Sequence, residues 1–280
     1  MELLDYLLRF IEEDAPNGDV TSAAVIPDIS CEAVIRAEQG GTVAGLYEAT
    51  LLFSYFGVSV KHHVEDGNTI RKNDLLLSLS GDAKKILLVE RTALNIIGRM
   101  SGIATQTRKM TDIVFAINPL CRVAATRKTC PGFRNLDKKA VTIGGGDPHR
   151  MNLSDGVLIK DNHLALVPIR IAVEAAKKYS MYKKIEVEVE SSKNALIAAK
   201  AGADIIMLDN TSPAQISRTI RVLKREGLRD KVIIEVSGGI DESSLAGYAA
   251  LDVDVISTGA LTHSVRNLSV NLEIFPRIMQ

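Results

Sequence analysis

Cys121-Arg122-Val123-Ala124-Ala125, a short apolar run, is closed by Thr126-Arg127-Lys128. The same arrangement, a strand-like run ending in a chemically competent polar residue, recurs through the second half of the chain. Val157–Ile159 leads to Lys160, Ile185–Val189 holds Glu188 near its end, and Ile205–Leu208 leads to Asp209. Val232–Val236 leads to Ser237-Gly238-Gly239, and Val253–Ile256 to Ser257-Thr258-Gly259. Helical runs separate several of them, at Ile169–Lys178, Lys193–Ala201 and Ala214–Arg225. Short apolar strands alternating with amphipathic helices predict a parallel α/β architecture. Strands read as apolar throughout need cover on both faces. A polar side chain at the carboxyl end of every strand is what the active face of a (β/α) barrel requires. A barrel is therefore expected, with a doubly wound sheet as the alternative.

The first hundred residues read differently. Leu3, Leu4, Leu7, Leu8 and Ile11 share one face at helical spacing, predicting an amphipathic opening helix. It ends at the turn-rich Ala15–Asp19, and β-like runs follow at Glu32–Ala37, Val58–Val64 and Leu75–Leu79. The turn-bounded segment Glu65–Leu75 is faintly similar to half of a biotinyl or lipoyl carrier domain, but the Met-Lys-Met hairpin is missing. Lys84–Met100 predicts a helix that Ser101-Gly102 should break, with a second helical stretch running toward Ile113.

Composition narrows the function classes. The 280 residues carry 34 basic and 34 acidic side chains, so no basic excess exists to grip nucleic acid or an anionic membrane. Tryptophan is absent and aromatics total 4%, which disfavours a base-stacking surface. Three cysteines (Cys31, Cys121, Cys130) form no Cys-x-x-Cys pair, so neither a disulfide scaffold nor a cysteine zinc site is expected. No apolar run approaches the ~20 residues of a membrane span. A cytoplasmic protein is expected, without nucleic-acid or membrane partners.

The residues at the strand ends are ordered by charge along the chain. Arg127, Lys128, His149, Arg150 and Lys160 come first, then Glu188 and Asp209, then the small Ser237-Gly238-Gly239 and Ser257-Thr258-Gly259. Two cations ~6 Å apart at an effective dielectric near 20 repel by roughly 2–3 kcal/mol, so such a cluster calls for a ligand with several negative groups. Glycine loops expose backbone N–H groups suited to phosphate. Carboxylates opposite suit a divalent metal, ribose hydroxyls, or positive charge developing on a sugar. Several neighbouring residues have plainer readings. Gly144-Gly145-Gly146 lacks the ending of a nucleotide P-loop, and His62 and His63 read as solvated. Asp161-Asn162-His163 lacks zinc-ligand spacing, so His163 reads as a cap or as a residue that supports the site from behind; Cys130 has no evident histidine partner.

These same residues carry a resemblance. Thr126 to Arg134, Gly144-Gly145-Gly146, His149-Arg150 and Ile159 to His163 closely resemble the quinolinate phosphoribosyltransferases, and the likeness extends from Glu13-Asp14 to Thr262. It includes Glu90 to Asn95, Ser101 to Thr105, Glu186-Val187-Glu188 and Leu208-Asp209-Asn210. Val236 and Cys130 depart from the usual pattern, and neither is a charged position.

The resemblance implies an incomplete (β/α) TIM-like barrel over residues 104–264. It also implies an N-terminal α/β sandwich domain over 1–103, completed by the tail 265–280. It implies phosphoribosyl transfer from 5-phosphoribosyl 1-pyrophosphate to quinolinate with decarboxylation. Arg91, Arg127, His149, Arg150 and Lys160 would bind quinolinate, with Arg91 crossing from the partner subunit of a homodimer. Lys128, Glu188 and Asp209 would hold phosphoribosyl pyrophosphate and its Mg²⁺, and Ser237, Gly238, Gly239, Ser257 and Gly259 its 5′-phosphate. Catalysis would rest on Lys160, Glu188, Asp209 and Lys128. The alternatives are a lyase using Lys160 as a Schiff base and a non-catalytic paralogue. The latter would be expected to lack the cationic motifs, which this chain retains.

Overall fold

A computed structural model of the chain describes residues 2–276. In chain order the first elements are α1 (Leu3–Asp14), α2 (Val20–Val25), β1 (Ser30–Ala37), β2 (Gly41–Thr42), α3 (Leu46–Tyr55), β3 (Ser59–His62), β4 (Thr69–Ile70), β5 (Leu75–Asp82) and α4 (Ala83–Ile117). There follow β6 (Arg122–Ala124), α5 (Arg134–Ile143), β7 (Val157–Ile159), α6 (Asp161–Leu164), α7 (Ile169–Tyr179), β8 (Ile185–Val189), α8 (Ser192–Ala201) and β9 (Ile205–Asp209). The last described elements are α9 (Pro213–Arg225), β10 (Ile233–Ser237), α10 (Leu245–Ala249), β11 (Val255–Ser257), α11 (Ala260–His263) and β12 (Val270–Pro276). Two compact units result, one running to Gln106 and resuming at Val265, the other spanning Thr107–Ser264.

In the first unit an antiparallel sheet has the order β12-β1-β5-β3. Alternation in β1 buries Cys31, Ala33, Ile35 and Ala37 on one face, as a half-covered strand requires. The predicted break at Ser101-Gly102 does not occur: α4 runs unbroken through it. The physical reason is packing. A Cβ on Gly102 would stand 2.2 Å from the carbonyl oxygen of Arg266, and one on Gly98 would stand 3.0 Å from that of Leu268. The buried Ser101 hydroxyl meanwhile bonds the backbone of Ala44. Glycine here serves close backbone approach inside a helix whose length absorbs its low propensity.

The second unit is built on a parallel sheet of order β6-β11-β10-β9-β8-β7. Its first strand pairs with its last, β6 with β11, which a doubly wound sheet does not do. The barrel is incomplete because β6 and β7 do not pair. Asp147 alone continues β6, through a parallel bridge to Ala124. The helices cover the sheet with apolar faces, such as Ile216, Ile220 and Leu223 of α9. Ser191 and Ser212 cap α8 and α9 with their hydroxyls, Pro213 follows as the first residue of α9, and Gly202 closes α8 in the left-handed region. No helix among the described residues is long and apolar enough to cross a membrane.

Candidate active site

Side chains two apart on a strand share a face. In this barrel the inward positions near the carboxyl ends are Ala125 and Arg127, Leu158 and Lys160, Met207 and Asp209, and Glu235 and Ser237. With Lys128, Glu188, Ser257, His149 and Arg150 they line one cavity of about 300 Å³. The strand-end residues thus meet at one mouth. Their order around it is their order along the chain, and β11 closes the ring by bringing Ser257 back beside β6. The cations Arg127, Lys128, Arg150 and Lys160 flank the gap between β6 and β7. Glu188 and Asp209 stand on the next two strands, and Ser237 and Ser257 follow. The cationic and anionic sectors are not separated: Lys160 Nζ pairs with Glu188 at 3.0 Å.

Gly238 and Gly239 extend β10 with positive φ of 95° and 61°. A Cβ on Gly259 would stand 3.0 Å from Lys128 Cδ, so this glycine admits the lysine stem. His163 accepts a hydrogen bond from the Lys160 N–H through Nδ1 at 2.9 Å, the capping role expected of it. Gly146 is packed close to Thr107 and Val141 side chains, where a Cβ would stand 2.6 and 2.9 Å from them. Arg91 is exposed on α4, in the first unit.

His149 departs from the simple picture of a free cation. Its backbone is left-handed, φ 56°, uncommon for a residue with a Cβ. Its Nδ1 accepts the Arg150 N–H at 2.8 Å, while Nε2 faces Glu235 at 3.4 Å and Glu186 at 3.6 Å. Both ring nitrogens are directed at protein groups. Burial opposes a charge on His149, but the pairing with Glu235 and the charge of Glu186 outweigh it and raise its pKa. Arg150 also feels burial first and then Arg127, and both lower its pKa.

Glu186 and Glu235 were not anticipated as site residues. They come from alternate strands, β8 and β10, and occupy a layer beneath Glu188 and Ser237, as barrel interiors are built. They are 4% and 2% exposed. The signal was present: Glu186 stands two residues before Glu188, and Glu235 two before Ser237. Period-two reading puts each on the same inward face as its partner. With His149 they form the trio of described residues close enough to share a metal ion. Arg150 and Lys160, however, already supply positive charge to Glu186.

This layer makes stability depend on pH. Burial, then the charge of Glu235, push the Glu186 carboxyl up to about 7 against the pull of His149, Arg150 and Lys160. Between its ordinary 4.5 and that value the folded chain binds more protons than the unfolded one. The Glu186 contribution is thus complete below the window and is lost as pH rises through it. Urea unfolding across this window should show the decline in the wild-type protein, and Glu186→Gln should flatten it. Parallel profiles would remove Glu186 as the cause.

A barrel whose mouth joins a cationic cluster, two carboxylates and glycine turns defines an enzyme that handles acidic, phosphorylated substrates. Comparison with known proteins agrees and is more specific. The model of the quinolinate phosphoribosyl transferase C-terminal domain matches residues 103–273, and that of the N-terminal domain matches 19–101. A protein of Archaeoglobus fulgidus named "Probable nicotinate-nucleotide pyrophosphorylase (carboxylating)" is 47% identical over 261 residues, 92% of this chain and 99% of its own length. The solved nicotinate-nucleotide pyrophosphorylase of Ehrlichia chaffeensis superposes with a TM-score of 0.92 at 32% identity, covering 98% of this chain and 99% of that one. That of Francisella tularensis gives 0.90 at 33% identity, with 98% and 96% covered. The chain belongs to the quinolinate phosphoribosyltransferase family.

Proposed function

We propose that the protein transfers the phosphoribosyl group of 5-phosphoribosyl 1-pyrophosphate to the ring nitrogen of quinolinate and releases the adjacent carboxylate. The products are nicotinate mononucleotide, pyrophosphate and CO₂, a step of de novo NAD biosynthesis. The observation that carries this reading is the convergence of Arg127, Arg150 and Lys160 on a cavity whose next wall presents Glu188 and Asp209. The names of the relatives describe a carboxylating pyrophosphorylase of nicotinate nucleotide, the same reaction read backwards.

Arg127, Arg150 and Lys160 hold the two ring carboxylates. Arg127 offers a buried Nε without a hydrogen-bond partner among the described residues. Two carboxylates account for three cations, where a monoacid would need fewer. Held in this way, the pyridine nitrogen faces the sugar carbon from which pyrophosphate departs. Positive charge develops on the ribosyl ring, and Glu188 and Asp209 stabilise it. Lys128 takes up charge on the leaving pyrophosphate. Ser237, Gly238, Gly239, Ser257 and Gly259 cradle the 5′-phosphate; the Ser257 hydroxyl is fully buried and has no partner among the described residues. The ribosylated nitrogen is cationic, so it stabilises the electron pair left on the adjacent ring carbon as CO₂ departs, and a proton from solvent then adds to that pair.

Glu188 and Asp209, hard oxygen donors on adjacent strands, would hold a Mg²⁺ here. When bound, the ion neutralises charge on the pyrophosphate.

We assign the working form to a homodimer, with Arg91 entering the partner's site. The open edge between β6 and β7 supports this, as does a second cavity of about 660 Å³ that shares Arg127, Arg150 and Lys160. Leu153 and Tyr179 line it while 70% and 86% exposed, which marks a surface suited to a protein partner. Free Cys31, Cys121 and Cys130 suit the reducing cytoplasm.

Incubation with quinolinate, phosphoribosyl pyrophosphate and Mg²⁺ should release CO₂ and nicotinate mononucleotide only when both substrates are present. A protein that turns over neither would refute the assignment. Gly238→Ala tests the cradle: its Cβ would stand 2.5 Å from the backbone nitrogen of Asn210, at φ 95°. A higher KM for phosphoribosyl pyrophosphate and a melting point lower by roughly 3–8 °C are expected. Unchanged values would exclude this turn from the site.

A further inference from the structure

We propose that Lys138 is a positioning residue for the diacid: from α5, outside the cavity, it fixes the turn that presents His149 and Arg150. The proposal rests on the reading of the site given above. Lys138 is 1% exposed, yet it makes no ion pair with a carboxylate among the described residues. Its Nζ instead donates to the carbonyl oxygens of Pro148 and, at 2.7 Å, of Arg150.

Those carbonyls need a donor because of how the chain turns. Asp147 still belongs to the sheet: its N–H donates to Val123 O at 2.8 Å and its carbonyl accepts from Ala125 N at 2.9 Å. Two residues later the backbone is left-handed, and β7 offers no ladder to pair with. Asp147 Oδ1 accepts the His149 N–H at 2.7 Å, and His149 Nδ1 accepts that of Arg150, so side chains satisfy the donors of the turn. For the carbonyls of Pro148 and Arg150, one ammonium with three N–H groups serves both. An apolar side chain in its place would leave two buried acceptors unmet, and the turn would relax to find partners. Among the described residues the Arg150 guanidinium is held by one hydrogen bond, to Gly156 O at 3.2 Å, so its aim depends on the backbone beneath it.

Burial, the charge of Arg134 and that of Arg127 lower the Lys138 pKa to about 8, while Asp147 and Asp155 oppose them. A charge tolerated against that cost, in a helix whose neighbouring Lys139 is not fully buried, is consistent with a dedicated contact.

The test is equilibrium binding of quinolinate and, separately, of phosphoribosyl pyrophosphate with Mg²⁺, to wild type, Lys138→Met, Lys138→Gln and Lys138→Arg. Circular dichroism establishes folding in each case. A neutral variant that folds should lose quinolinate affinity by about 10-fold or more, with affinity for phosphoribosyl pyrophosphate within about 2-fold of wild type. Lys138→Arg, which keeps charged donors, should recover part of the loss. Quinolinate binding equal to wild type in a neutral variant would overturn the proposal, as would equal loss of both ligands. Failure of both neutral variants to fold would also overturn it, since the role would then be structural. A wild-type protein that binds no quinolinate would instead refute the functional reading itself, and the proposal with it.

Discussion

Lys160→Ala is expected to lower turnover by roughly 10³-fold while leaving the fold intact, because it removes a charge aimed at the reacting diacid. The side chain is about half exposed and its ion pair with Glu188 lies at the mouth. Such pairs contribute roughly 0–1 kcal/mol to stability, so the melting point should move by less than about 3 °C. The Lys160 N–H would still cap onto His163, preserving α6. Loss of activity accompanied by unfolding would assign Lys160 to structure, and wild-type turnover would remove it from the site. Borohydride treatment of the wild-type protein with substrates should trap no adduct on Lys160; a trapped adduct would favour the lyase chemistry over ribosyl transfer.

A mixture of inactive Arg91→Ala and Lys160→Ala chains, unfolded and refolded together, should regain activity. In a two-fold dimer with a shared site, one active site of each mixed dimer holds an intact Lys160 and an intact partner Arg91, while the other holds neither. Random pairing makes about half of the dimers mixed, so roughly one quarter of wild-type activity is expected. Verified mixed dimers without activity would contradict a site completed by the partner. Full activity of Arg91→Ala alone would remove that arginine from the chemistry.

The barrel was legible because its information is local. Each strand run ends in its own polar side chain, and Arg127, Lys160, Glu188, Asp209, Ser237 and Ser257 all line one cavity. Three features resisted a one-dimensional reading. The order of charges around the mouth repeats their order along the chain, but β11 lying beside β6 is a closure no window of sequence contains. The runs Ile185–Val189 and Val232–Val236 read as apolar, so the inward Glu186 and Glu235 were absorbed into that pattern although their spacing disclosed them. Ser101-Gly102 carries a helix-breaking signal that tertiary packing overrides: the glycine answers to the backbone of Arg266 and not to its own helix. Lys138 is hidden in a different way. Beside Lys139 it reads as half of an ordinary charged helix face, and only the left-handed turn at His149 brings the carbonyls of Pro148 and Arg150 to its ammonium.

His149 illustrates how strain and function coincide. Its positive φ brings the imidazole over Glu186 and Glu235 and turns Arg150 toward the cavity. Conformations of this kind persist where their surroundings over-determine them, and here Asp147, Lys138 and the two buried carboxylates do so.

The most direct measurement is a crystal structure of the protein with quinolinate bound. It should show the two carboxylates within hydrogen-bond distance of Arg127, Arg150 and Lys160, and the ring nitrogen turned toward the side of the cavity that carries Glu188 and Asp209. Quinolinate seated elsewhere, or lodged here with its nitrogen turned away from those carboxylates, would contradict the account.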